Sequence, residues 1–270
     1  MTPTLHNPLQ QRLATGGLGL ALIVQKAGSA DIALAAQACG YDALSIDLEH
    51  SVLGEHAAAQ ICLAALGAGI APLVRVPSQD PHFANRVLDA GALGVIVPHV
   101  ENAQQARAVA AACRFAPQGQ RSATYRWPHW RYREVSPVQA RAGLDAATTV
   151  IVMLECPRVI ERADEIAAVP GVDILHVGTV DLCDAMGIAG AQDDPRVMAA
   201  LEHVAAACRR HGKVAGAGGI GGRPALVAKA VAAGVRFVTA GIEWDLMVNA
   251  IGQRAQDLRN FDNTALPGAD

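Results

Sequence analysis

Polar side chains gather directly after apolar runs in this chain. Ser45-Ile46-Asp47-Leu48-Glu49-His50 closes one run and Val74-Arg75-Val76-Pro77 a second. Met153-Leu154-Glu155-Cys156 closes a third, and His176-Val177-Gly178-Thr179-Val180-Asp181 a fourth. Charged groups at such ends are costly unless they are paired or hold a metal. Glu155 and Asp181 are hard oxygen donors of the kind that bind Mg²⁺ or Mn²⁺. Two protein ligands leave room for water and a chelating 2-oxo acid, whose enolate the metal would stabilise as a Lewis acid. Arg75 suits the same developing oxyanion. His50, oriented by Asp47, is a candidate acid–base. Taken singly, Glu155 reads equally well as a rim salt bridge and His50 as a satisfied barrel histidine. Their coincidence at four ends favours a site.

Imine chemistry has little to work with. The only lysines are Lys26, Lys213 and Lys229, and a Schiff base needs one facing the pocket. Lys213 starts an apolar run and Lys229 falls inside a helical stretch, so only Lys26 could reach. The glycine run 215–222 follows the seventh apolar run, where it reads equally as a phosphate loop or as a tight turn near a substrate carboxylate.

The elements that must carry these residues alternate. Strand-like runs cover 18–24, 43–47, 72–76, 94–98, 150–154, 174–177, 213–217 and 237–240, with helical runs at 29–39, 55–68, 103–114, 195–210 and 224–233 among them. Continuously apolar strands imply a parallel sheet covered on both faces. About eight strand–helix units in about 250 residues make a (β/α)₈ TIM barrel the expected α/β fold, with a doubly wound sheet as the alternative. Gly40, Gly91, Gly212 and Gly234 sit where helices would end in left-handed caps. In a barrel, the four polar ends converge on one face.

With 270 residues and a net charge of −3, the chain has no broad basic surface, which argues against a nucleic-acid partner. Its six cysteines form no CxxC and read as small core side chains in a reducing cytoplasm. No signal peptide is evident at the N-terminus. The uncharged stretch 57–74 carries Gln60, Gly67, Gly69 and Pro72, so it reads as a buried helix and strand and not as a membrane span.

One segment stands apart. Residues 117–137, PQGQRSATYRWPHWRYREVSP, interleave Tyr125, Trp127, Trp130 and Tyr132 with Arg121, Arg126, Arg131 and Arg133. As a long loop after the fourth strand, it is expected at the active-site end, as a substrate lid or a subunit contact ahead of a single-strand nucleic-acid surface.

The segments GYDALSIDLEHS, PLVRVPSQD, VLDAGALGVIVPHVENAQQA, VMLECPRVIERADEIAAVPGVDILHVGTVDLCDAMG and HGKVAGAGGI resemble the metal-dependent 4-hydroxy-2-oxoheptanedioate aldolases, the HpcH/HpaI aldolase and citrate lyase β family. The resemblance runs from about Gly17 to Leu258. It implies a barrel of the phosphoenolpyruvate/pyruvate type over 17–260, with an N-terminal extension over 1–16 and a tail over 261–270. It further implies a class II aldolase cleaving 4-hydroxy-2-oxo acids to pyruvate and an aldehyde, in aromatic or sugar-acid catabolism. By resemblance, Glu155 and Asp181 hold Mg²⁺ or Mn²⁺ (Co²⁺ or Zn²⁺ as substitutes), with Glu49 near the metal's water. Arg75 binds the pyruvyl oxygen, and Gly178 and Thr179 hold the carboxylate through backbone amides. His50 and Asp47 form an acid–base dyad, and Asp89 approaches a neighbouring subunit's site. Members form homo-oligomers, trimers or hexamers, with the last helix, 248–258 here, exchanged between subunits. Gly19 stands where the family often has an aromatic residue, which implies a roomier pocket wall. A malyl- or citramalyl-CoA lyase on the same metal site and a non-catalytic binding barrel remain the alternatives.

Overall fold

Runs such as Thr149–Leu154 and Ile174–Gly178 are buried at every residue, as expected of strands covered on both faces. The computed structural model describes residues 5–261. Its strands are β1 (Gly19–Val24), β2 (Ala43–Asp47), β3 (Ala71–Arg75), β4 (Gly94–Val97), β5 (Thr149–Leu154), β6 (Ile174–Gly178), β7 (Val214–Gly218) and β8 (Val235–Ile242). They close in sequence order into an eight-stranded barrel, each parallel to its neighbours. The expected TIM barrel is therefore the fold, and the doubly wound sheet is excluded by the β1–β8 pairing.

Helices α1 (Pro8–Ala14), α2 (Asp31–Ala38), α3 (Glu55–Ala68), α4 (Pro81–Asp89), α5 (Ala103–Cys113) and α6 (Pro137–Ala147) accompany the first half. The second half carries α7 (Pro157–Ile160), α8 (Ala163–Ala167), α9 (Thr179–Ala185), α10 (Pro195–Arg210), α11 (Pro224–Ala233) and α12 (Glu243–Arg259). Gly40, Gly91, Gly212 and Gly234 all have positive φ at helix ends. No helix among the described residues is long and apolar enough to cross a membrane.

Two cores hold the barrel. One lies between strands and helices. The other fills the lumen with Ala21, Leu73, Ile96, Ile151, Ile174 and Phe237, and Leu9 of α1 joins it from below. Asn7, just before α1, donates to Leu93 O at 3.3 Å, Ala147 O at 2.7 Å and Thr149 Oγ1 at 3.1 Å. Residues 5–16, read as an extension, thus close the barrel floor. Of the tail expected over 261–270, all but Phe261 lies outside the described residues.

Two expectations are corrected here. Gly19 is not a pocket wall: it starts β1 at the floor, and a Cβ there would lie 2.5 Å from Leu9 Cδ1. The glycine makes room for the α1 plug. The aromatic loop is also at the wrong end for a lid over this chain's own site. It follows α5 rather than β4 directly, and α5 has already carried the chain back to the strand starts. There His129 Nε2 lies 3.1 Å from Ala92 O, and Phe115, Trp127, Trp130, Ala140 and Leu144 form a small core of their own.

The cysteine expectation holds for Cys62, Cys113, Cys183 and Cys208, which are buried, but Cys39 is exposed and Cys156 half-buried. Burial pushes the thiols of Cys62, Cys113 and Cys208 up to about 12.

Candidate active site

The register of β2 on β3 sets Asp47 beside Arg75. Arg75 Nε donates to Asp47 Oδ1 at 2.9 Å and Nη2 to Oδ2 at 2.5 Å, a two-point fork, while Nη1 lies 3.0 Å from Glu49 Oε2. Asp47 also accepts Gln25 Nε2 at 2.7 Å and the backbone N–H groups of Glu49 and His50 at 2.9 and 3.3 Å. Burial alone would raise the Asp47 carboxyl. The Arg75 fork, Gln25 and the Glu49 amide outweigh it and hold the carboxyl below the usual carboxylate range.

The expected Asp47–His50 dyad is not formed. Both Asp47 oxygens are taken by Arg75, Gln25 and backbone amides, and the bond to His50 goes to its main chain. The exposed His50 ring instead places Nε2 3.8 Å from Glu49 Oε2 and lines the cavity.

Glu155, just past β5, faces a crowd of negative charge. Burial is the largest cause of its raised carboxyl pKa, and the Asp181 and Glu49 carboxylates push the same way. His99, directly after β4, opposes them. Its backbone N–H donates to Glu155 Oε2 at 2.8 Å, and its ring lies between Glu155 and Glu49, each 3.0 Å away. This residue was missed in the sequence, where the end of the fourth run was left out of the polar ends. The signal the sequence holds is a histidine directly after Pro98; its φ of +55° belongs to the structure.

The donor set fits a divalent cation. Glu155 and the exposed Asp181 in the first turn of α9 supply hard oxygens. Glu49 Oε2 is buried with no hydrogen bond to it among the described residues, although Arg75 lies at ion-pair distance. A Cβ at Gly178 would lie 2.9 Å from Glu155 Cγ, so only glycine lets the carboxylate rest against β6. No group of three or more His, Cys, Asp or Glu forms a ready metal cage among the described residues. A cation held by two carboxylates that keeps several waters needs none.

Arg75, His50, Gly178 and Asp181 border a cavity of about 420 Å³ at the strand ends, lined also by Ile23, Ser45, Met153, His176 and Thr239. His176 points inward from β6 and is buried, which pushes its imidazole down to about 3 and keeps it neutral. Gly178, as N-cap of α9, offers no side chain to the first-turn amides, and Thr179 Oγ1 donates to Gly218 O at 2.6 Å. The glycines of the 215–222 run form the far wall. Asp89 ends α4 at the barrel floor, where Arg121 Nη2 donates to it at 2.8 Å, so the structure does not bring it to this cavity.

The sequence profile of the HpcH/HpaI aldolase/citrate lyase family matches residues 24–250. A 4-hydroxy-4-methyl-2-oxoglutarate aldolase of Hapsidospora irregularis is 44% identical over 218 residues, 80% of each chain. A second aldolase of that name, from Chaetomium globosum, is 36% identical and covers 96% of this chain and 98% of its own. The crystal structure of the HpcH/HpaI aldolase from Desulfitobacterium hafniense DCB-2 superposes with a TM-score of 0.86 at 25% identity, covering 98% of this chain and all of that one.

Proposed function

This chain belongs to the HpcH/HpaI aldolase/citrate lyase family and is an aldehyde-lyase of 4-hydroxy-2-oxo acids, and we propose that the Arg75 fork, Glu155 and Asp181 form its active site. The observation that carries this is that Arg75, held by Asp47, and Asp181 line one cavity, while Glu155 packs against Gly178 of its wall and feels the Asp181 charge. Glu155 and Asp181 would hold the divalent cation, Mg²⁺ or Mn²⁺ first, with Co²⁺ or Zn²⁺ as substitutes. When bound, that cation supplies Lewis acidity toward the 2-oxo group.

The protein's own groups account for the remaining chemistry. The amides at Gly178 and Thr179 suit the substrate carboxylate. Arg75 donates to the oxygen that gains charge as the C3–C4 bond breaks and its electron pair enters the enolate. His50, facing the cavity, takes the 4-hydroxyl proton, leaving the carbonyl product. Protonation at C3 completes pyruvate. By analogy with two relatives, 4-hydroxy-4-methyl-2-oxoglutarate is the first substrate to try. Its cleavage gives two molecules of pyruvate.

The active unit is a homo-oligomer in this reading, a trimer or hexamer. Among the described residues of α12 only Glu243 is buried, while Trp244, Val248, Ile251 and Leu258 stay exposed, an apolar face suited to a second copy. Asp89, remote from its own cavity, would then serve a neighbour's. A cytoplasmic setting accords with six free cysteines.

The test is exchange of pyruvate methyl protons in deuterated water, followed by NMR with Mg²⁺ or Mn²⁺ and then with chelator. Metal-dependent exchange is expected. No exchange with any metal, together with turnover of malyl or citramalyl thioesters, would replace this reading.

A further inference from the structure

The carboxylate of Glu243 is spent on a distant loop rather than on its own helix. It is the first residue of α12 and the one buried residue described there. Oε1 accepts the backbone N–H of Gln25 at 3.0 Å, Lys26 at 2.6 Å and Ala27 at 2.8 Å, and Oε2 lies 3.0 Å from the Gln25 amide. No cationic side chain pairs with it among the described residues. A buried anion of this kind is tolerated because the amides solvate it. The loop so fixed follows β1, and its first side chain continues the chain of bonds. Gln25 Nε2 donates at 2.7 Å to Asp47 Oδ2, the same oxygen that takes Arg75 Nη2 at 2.5 Å.

We propose that Glu243 is a positioning residue for Arg75, acting through the Gln25 backbone and side chain on Asp47. The inference rests on the assignment of Arg75 to the enolate oxygen. Gln25 is the necessary link. With its amide released from Glu243, its side chain loses a fixed pivot, and Asp47 Oδ2 loses the partner that sets its rotation about the Arg75 fork. Displacing an oxyanion donor by about 1 Å costs on the order of 100-fold in rate, so Glu243 can govern the chemistry through this network without itself lining the cavity.

Full-length Glu243→Ala and Glu243→Gln are compared with wild type. Glu243→Ala leaves three amides without their acceptor, and metal-supported pyruvate exchange is expected to fall about 100-fold in kcat with KM for pyruvate changed less than about threefold. Glu243→Gln keeps one acceptor oxygen and restores most of the rate. A second readout needs no activity: the Arg75 Nε–H signal in ¹⁵N NMR, assigned by its loss in Arg75→Lys. It should be sharp and slow to exchange in wild type, exchange-broadened in Glu243→Ala and largely recovered in Glu243→Gln. Should Glu243→Ala fail to fold, Gln25→Leu cuts the same link one step later and should broaden the same signal. An unchanged Arg75 signal in a folded Glu243→Ala or Gln25→Leu protein overturns the proposal, as does a changed signal with wild-type kcat. If wild type shows no pyruvate exchange, the assigned activity fails, and the Arg75 signal alone still decides the link.

Discussion

Asp47 grips Arg75 at two points, Nε onto Oδ1 at 2.9 Å and Nη2 onto Oδ2 at 2.5 Å, which leaves only Nη1 to face Glu49. The guanidinium is therefore fixed before any substrate arrives, and a preorganised donor is what an enolate oxygen needs. Asp47→Asn keeps the size but removes the charge, and Arg75→Lys removes the fork. Each is expected to slow pyruvate methyl exchange by about 10²–10³-fold. Wild-type exchange in either variant would remove the fork from the mechanism.

Glu155 should trade stability for function. Its folded pKa is raised, first by burial and then by Asp181 and Glu49, so its ionised form is disfavoured in the native state. The native state is thus relatively most stable below the ordinary carboxylate pKa and loses that advantage as pH rises through the folded value. Glu155→Gln is expected to raise the melting temperature of metal-free protein at pH 8 and to leave it unchanged at pH 4. The same variant should lose Mn²⁺ binding, read by electron paramagnetic resonance of the free ion. A stability gain that is equal at both pH values would mean that charge is not its cause.

The strands were legible because continuous apolar runs have one reading in a parallel barrel, and the proposed site was legible wherever a polar residue followed such a run. Arg75, Glu155 and Gly178 could be placed that way. What escaped depends on partners distant in sequence. The Asp47 oxygens could serve His50 or Arg75, and only the β2–β3 register decides between them. His99 follows the shortest strand, and Glu243 meets residues 25–27 across more than two hundred positions. The aromatic loop was misplaced by one reversal of direction: the helix before it returns the chain to the barrel floor. Residues 8–14 read as part of an N-terminal extension because the segment precedes the first strand, and only the placement of Leu9 inside the lumen shows them as the barrel's floor.

His99 should tune the cation site without being required for folding. Its ring lies 3.0 Å from both Glu49 and Glu155, and groups that orient ligating carboxylates commonly contribute 10–100-fold to metal affinity. The side chain is largely exposed, so its direct effect on stability should be small, within about 1 kcal/mol. His99→Ala leaves its own N–H on Glu155 Oε2 and is expected to weaken Mn²⁺ binding by about tenfold with little change in melting temperature. Equal or tighter binding would show that the ring does not orient the ligands.

The floor plug offers a test far from the chemistry. Leu9 is fully buried in the lumen core, and the space beside it exists because Gly19 carries no side chain: a Cβ there would stand 2.5 Å from Leu9 Cδ1 and 3.3 Å from Leu13 Cδ2. Leu9→Ala removes buried methyl groups and leaves a cavity, at a cost of about 2–5 kcal/mol, or roughly 5–15 °C in melting temperature. Gly19→Phe should be worse, because the ring must displace α1, and with it the three bonds from the Asn7 side chain. Deleting residues 1–14 should destabilise at least as much as Leu9→Ala. If the deletion instead melts with wild type, the segment is a dispensable extension and the lumen closes without it. If it melts early while pyruvate exchange at low temperature survives, α1 serves stability alone, as its place at the end of the barrel opposite Arg75 and Glu155 requires.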